Sequence, residues 1–313
     1  MDETGTLAGQ RLSLGLDGAR SVRAQSLPAE SFVAGPFGGI VLVGSDDGTT
    51  STVRAIDVAQ GCAWSLATEA DVIRRATIDP GGRTIYEMRV DRSTRADLGV
   101  WARSLDGTAA QRVLDPIGPD EQFGPTFTTE FAWDPSGRAL AIQSCGEAAC
   151  RTRFIAPDGA ATFGGTAERD LGTMIGLDDG RLVGYLACPG LPCPVVAIDL
   201  TTGARTVLAD QAGIGVLVST PSGRRLVHET FLPSGLALRS VAMDGSAATD
   251  LGPLPDGVRL HPTPDRAEAA TRVPPGWALL ATDGRIGPAG PADHGQLRHV
   301  PDGASVQLDE VIR

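Results

Sequence analysis

The sequence predicts an all-β fold, a seven-bladed β-propeller with six blades as the alternative, spanning residues 1–313 as one domain. Three observations carry that prediction. A strand–turn–strand signature recurs along the chain, its spacing of about 37–45 residues suits propeller blades, and each terminus holds what reads as half a unit.

The signature is clearest when Arg75–Tyr86 is set above Phe131–Ile142. Both read strand, turn, strand. Pro at the second turn position and Gly near the end suit a type I turn closed by a Gly bulge. Variants recur at Leu177–Arg181, Thr220–Arg224 and Thr263–Arg266. After each hairpin comes an apolar strand ending in Asp-Gly, as at Val100–Gly107, Leu238–Gly245 and Trp277–Gly284, and then a short strand. The unit is therefore four strands, a to d.

In chain order, residues 10–25 match strands c and d alone, and full units fall at 30–67, 73–115, 129–165, 172–209, 214–252 and 257–290. Residues 296–311 read as strands a and b. Joined, the two end pieces make a split seventh blade, a closure that supplies backbone hydrogen bonds across the ring's seam.

The Asp-Pro-x-Gly-Arg hairpins resemble the WD40-like repeats of TolB-type bacterial β-propellers, repeats also found in the propeller domains of some lipoproteins and prolyl peptidases. The resemblance covers most of the chain and implies a recognition platform more than any one partner. TolB propellers have six blades and a leading α/β domain that is missing here. The Gly-His and Trp-Asp markers of eukaryotic WD40 repeats are also missing, since Trp133-Asp134 precedes an a–b turn.

A net charge of -11 with no Lys makes nucleic acid and anionic membrane poor partners. Asn is missing too, which removes every N-x-S/T acceptor and leaves Gly and Asp to fill turn positions. The first thirty residues have no basic flank followed by an apolar run, and no stretch is long and apolar enough for a transmembrane segment. A monomer is expected.

Four of the five Cys form two C-x4-C pairs, Cys145/Cys150 and Cys188/Cys193, each bracketing a b–c connection. Two disulfides across these hairpin mouths are expected, with reduced thiols and a four-thiolate zinc site as alternatives. Disulfides would place the protein outside the cytoplasm, in the periplasm, at the cell surface or secreted, with its native signal or anchor absent from this sequence. Cys62 reads as a small buried apolar residue.

No nucleophile elbow, zincin motif, phosphate loop or dinucleotide fingerprint occurs, so no catalytic residues are assigned. His228, His261, His294 and His299 read as isolated; the last is placed on strand a of the split blade and His294 in the preceding loop. Asp91 and Asp97 flank one b–c loop, and Asp115, Asp120 and Glu121 begin a long inter-blade segment. Calcium suits such oxygens, but the irregular spacing specifies no metal site and no cofactor. Phe123, Phe127 and Phe131 concentrate in the same segment; Phe131 reads as core and Phe123 as an exposed anchor.

In a propeller the b–c and d–a connections share one face. Phe123, Phe127, Asp91, Asp97, Asp120, Glu121 and both Cys-bracketed loops therefore make the expected recognition surface, in the second to fourth blades. The function expected is a non-catalytic extracytoplasmic binding or sensor module for a protein or small-molecule partner. The alternatives are a lactonase-like metal-dependent hydrolase with its site at the channel mouth, and a structural interaction domain of a larger anchored protein.

Overall fold

Asp79 shows why these strands turn where they do. Its Oδ1 accepts from the N–H groups of Arg83 and Thr84, at 2.6 and 2.5 Å, while its carbonyl accepts from Gly82 N at 2.8 Å. Gly82 has φ +68°, a left-handed backbone that favours Gly. Asp and Gly of the repeated hairpin are thus a carboxylate cap and a conformational hinge. Asp134 caps its own hairpin through Ser136 N at 2.9 Å, and Gly137, at φ +73°, lies where a Cβ would meet the Pro80 ring at 3.0 Å.

The computed structural model describes residues 7–14, 20–27, 32–37, 40–57, 62–107, 109–116, 127–134, 136–146, 150–156, 171–260, 277–282, 293–299 and 305–311, with side chains for most of those between 40 and 260. The chain divides into two compact units, the first built mainly from residues 1–133 and 137–161, the second mainly from 162–266 and 273–313. Among the described residues no helix is long and apolar enough to cross a membrane.

In the first unit, β1 (Leu7–Leu14) and β2 (Arg20–Leu27) form a two-stranded antiparallel sheet. Sheet I holds β3 (Phe32–Phe37), β4 (Ile40–Asp46), β5 (Ser51–Asp57) and β6 (Cys62–Glu69) in chain order. Sheet II holds β7 (Val72–Ile78), β8 (Thr84–Val90), β9 (Asp97–Ser104) and β10 (Gln111–Leu114). Sheet III holds β11 (Phe127–Trp133), β12 (Leu140–Cys145) and β13 (Cys150–Ile155). The stretch expected to give its fourth strand lies outside the described residues.

In the second unit, sheet IV holds β14 (Leu171–Asp178), β15 (Arg181–Leu186), β16 (Cys193–Asp199) and β17 (Arg205–Ala212). Sheet V holds β18 (Gly215–Thr220), β19 (Gly223–Leu232), β20 (Gly235–Ala242) and β21 (Thr249–Pro253). Sheet VI holds β22 (Val258–Leu260), β23 (Trp277–Thr282), β24 (Asp293–His299) and β25 (Ser305–Val311).

Sheet VI corrects the expected C-terminal half-blade. The stretch 296–311 does not supply strands a and b of a split seventh blade; its strands are c and d of the sixth sheet, with Leu279 opposite Leu297 and Leu297 opposite Val306. The reason lies in strand b. Residues 267–276 include Pro274 and Pro275, which donate nothing to a ladder, and the apolar run Trp277–Thr282 pairs with β22 instead. Trp277–Thr282 is thus strand b where strand c was expected. His294 and His299 accordingly sit on β24, while His261 lies outside the described residues.

Within each unit, consecutive sheets pack face to face. Leu42, Val53 and Ala55 of sheet I meet Ala76, Ile78 and Ile85 of sheet II, and Tyr86, Met88 and Val100 on the other face of sheet II meet Phe131, Trp133 and Leu140 of sheet III. Phe131 is therefore core, as expected. In the second unit, Val183, Val195 and Ala197 of sheet IV pack against Leu226 and Met243, and Val227 and Leu238 face Leu260. Strand alternation puts both faces of a middle sheet to use, which accounts for its nearly continuous apolar runs.

Two carboxylates are buried in these seams, each with charged partners. Glu87 is 0% exposed and bonded to Arg89 at 2.6 Å and to Arg103 at 2.6 Å; Glu69 from sheet I completes the cluster. Glu229, also 0% exposed, takes Arg259 through both carboxylate oxygens, at 2.8 and 2.6 Å, and Leu260 N at 2.8 Å.

Candidate functional site

In sheets I and II the b–c loop is a short, locally closed turn. Asp47 Oδ1 accepts from Thr49 N, Thr49 Oγ1 and Thr50 N at 2.7–2.8 Å. Asp91 repeats the device in the next sheet: its Oδ1 takes Ser93 N, Ser93 Oγ, Thr94 N and Thr94 Oγ1 at 2.7–3.0 Å. These bonds, Thr94 N first, hold the Asp91 carboxyl down at about 2. Asp199 makes the same turn with Thr201 and Thr202 in the second unit, there in the c–d loop at the opposite end of sheet IV. The shared pattern at these three sites is Asp-x-[Ser/Thr]-Thr, and it was there in the sequence to be found.

Neighbouring loops are clamped to one another. Arg92 donates to both oxygens of Asp46, at 2.9 and 2.7 Å, and to the Ala70 carbonyl at 2.8 Å. The Arg92 guanidinium beside Asp46 holds that carboxyl well below the usual carboxylate range. The forked pair ties the b–c loop of sheet II to that of sheet I, with more geometric definition than a single-point contact.

Asp97 opens β9, with its Oδ1 on Gly99 N at 2.8 Å. Gly99, at φ +79°, is needed twice over, because a Cβ there would come within 2.1 Å of the Leu114 carbonyl. The backbone of 114–116 therefore lies directly on β9. Its Asp115 carbonyl accepts from Arg153 Nη1 of sheet III at 2.5 Å, and its carboxylate faces Arg112 at 2.9 Å. Burial pushes the Arg153 guanidinium down in pKa, against the opposing pull of Asp97 and Asp115.

At the same end of sheet III, Cys145 and Cys150 are directly paired across β12 and β13 and joined as a disulfide, and Phe127 is the Cα partner of Cys145 on the other side. The Phe127 side chain lies outside the described residues, as do Asp120, Glu121 and Phe123 altogether. The second disulfide, Cys188–Cys193, closes the b–c loop of sheet IV in the second unit, where Leu191 is exposed. Cys62 begins β6, as expected for strand d.

The structure thus brings Asp91, Asp97, Phe127 and the Cys145–Cys150 bridge to the loop ends of two adjacent sheets. Sequence reading missed Arg153. The signal was Arg151-Thr152-Arg153 on a strand next to a disulfide, two cations at the period-2 spacing that puts them on one face. Among the described residues no group of three or more His, Cys, Asp and Glu is arranged to hold a metal ion.

No known protein family matches the chain, and no curated protein does. Solved structures do match. A prolyl endopeptidase aligns with a TM-score of 0.65 at 12% identity, covering 96% of this chain and 46% of that one. An oligogalacturonate lyase in complex with manganese aligns at 0.62 and 11% identity, covering 99% and 86%. TolB from Acinetobacter baumannii aligns at 0.47 and 13% identity, covering 77% and 59%. The chain spans about half the length of the prolyl endopeptidase. At these identities the likeness concerns fold alone: all-β, with multiple four-stranded antiparallel sheets matching propeller structures.

Proposed function

We propose that the chain is a non-catalytic extracytoplasmic binding or sensor module, with sheets I–VI as propeller blades and the b–c loop ends as the recognition face. The carrying observation is the way those loops are fixed: Asp47 and Asp91 each close their own turn, Arg92 and Asp46 bind loop to loop, and a disulfide ties the third. A face so preorganised binds with less ordering cost than mobile loops would. Two disulfides favour an oxidising compartment. The module is taken as a monomer that meets either a protein or a small molecule.

The test is a thermal-shift panel on the whole chain, comparing wild type with Arg92→Ala, together with metal analysis after purification without chelator. The expected ligand raises Tm in wild type, by a few degrees when present at about 100 times its Kd, and raises it less once the loop clamp is cut. The alignment with a manganese-bound oligogalacturonate lyase motivates a second reading, a metal-assisted enzyme. One tightly held divalent ion per chain would overturn the first reading in favour of the second.

A further inference from the structure

Arg153 is held in the seam between sheets II and III by one corner of its guanidinium. Nη1 is spent on the Asp115 carbonyl, whereas Nε and Nη2 are shielded from solvent and meet no acceptor among the described residues. Those two groups form one edge of the guanidinium: parallel N–H bonds spaced to take both oxygens of a carboxylate. Shielded donors of this kind normally have an acceptor.

Asp97 and Asp115 both attract Arg153 electrostatically, but neither accepts a hydrogen bond from Nε or Nη2. Asp97 Oδ1 is on Gly99 N, and the Asp115 carboxylate pairs with Arg112 in solvent. Gly99 lets the 114–116 backbone lie close enough on β9 for the Asp115 carbonyl to accept from Nη1. Arg151, two residues earlier on the same strand, adds a second positive charge on that side.

We propose that the Nε/Nη2 edge of Arg153 is a binding fork for a small carboxylate-bearing ligand, taken at the loop end between sheets II and III. This rests on reading that end as the binding face. The carboxylate would accept two hydrogen bonds from one guanidinium edge, with Arg151 adding long-range attraction. A carboxylate is favoured over a neutral ligand because its two charged oxygens match both donors of the fork and replace the water lost on burial more strongly than a neutral acceptor does.

The experiment follows the arginine Nε–H signals of the intact, oxidised chain by NMR while succinate and, separately, glucuronate are titrated in. The two probes distinguish a simple aliphatic acid from a sugar acid. A saturable shift of the Arg153 signal supports the proposal, provided it persists in Arg112→Gln and disappears in Arg153→Gln. Arg153→Lys keeps the charge without the fork, so its affinity should fall roughly tenfold or more at unchanged Tm, which separates recognition from folding. No saturable shift with either acid, or equal affinity in Arg153→Lys, overturns it. A ligand that shifts the Asp91 loop and leaves Arg153 untouched also overturns it, while the wider binding-face reading stands.

Discussion

At the residue scale, the costliest side chains to disturb are the carboxylates sealed in the seams. Glu87 has no exposure and neutralises two arginines, themselves about 3–5% exposed, one of which also stacks over Trp101 at 4.7 Å. Truncation leaves both cations buried with only the half-buried Glu69 to share. Glu87→Ala is therefore expected to destabilise by about 3–5 kcal/mol, read from the urea midpoint at constant slope. Arg112→Ala is the control. It removes a surface pair with Asp115 whose side chains are 49% and 77% exposed, and should cost under about 1 kcal/mol. A Glu87→Ala effect no larger than the control would show that the seam relaxes or admits water.

At the element scale, the hairpins are the units of stability, and the capping carboxylate is the lever. Asp79→Ala frees Arg83 N and Thr84 N and should cost about 1–2 kcal/mol, whereas Asp79→Asn, which keeps one acceptor oxygen, should recover part of that in thermal unfolding. The Cys145–Cys150 bridge acts on a similar scale: closing so short a loop contributes about 2 kcal/mol, and complete reduction of both bridges should add about four mass units to the intact chain. How much could be read in advance follows from the same hairpins. Strand pairs flanking an Asp-Pro-x-Gly turn were legible because Pro, Gly and the capping Asp each fix a backbone state locally. The C-terminal pairing was not, because Asp283-Gly284 and Asp302-Gly303 look alike to local rules, and strand order there depends on which apolar run reaches β22. Arg153 was visible as one of two cations on a strand face, but its role was not, because that comes from Asp115 just beyond β10, thirty-eight positions away in the chain.

At the scale of the whole molecule, seam groups with displaced titration make stability depend on pH in two directions. His228 is 2% exposed, Nδ1 on the Glu229 carbonyl at 2.9 Å and Nε2 without a partner among the described residues; burial lowers its pKa below 6.5, opposed by that bond. The unfolded chain therefore binds a proton there before the folded one does, and stability falls as pH drops from about 6.5 towards the lowered folded value. Burial raises the Glu69 carboxyl, but Arg103 and Arg89 outweigh it and hold it low, and Arg92 holds Asp46 low as well. Their contributions are present above the ordinary carboxylate range and vanish only in stronger acid. Asp178 opposes this, since burial raises its pKa and protonation near that range favours the folded state. Urea stability measured across pH should accordingly show a first decline beginning near pH 6.5 and a second below about pH 4. His228→Phe, which replaces the ring by one that never charges, should remove the first decline and leave the second. If the variant keeps both, the neutral imidazole buried between sheets IV and V is not what sets the upper limb, and protonation of histidines on β24 becomes the next group to test by the same substitution.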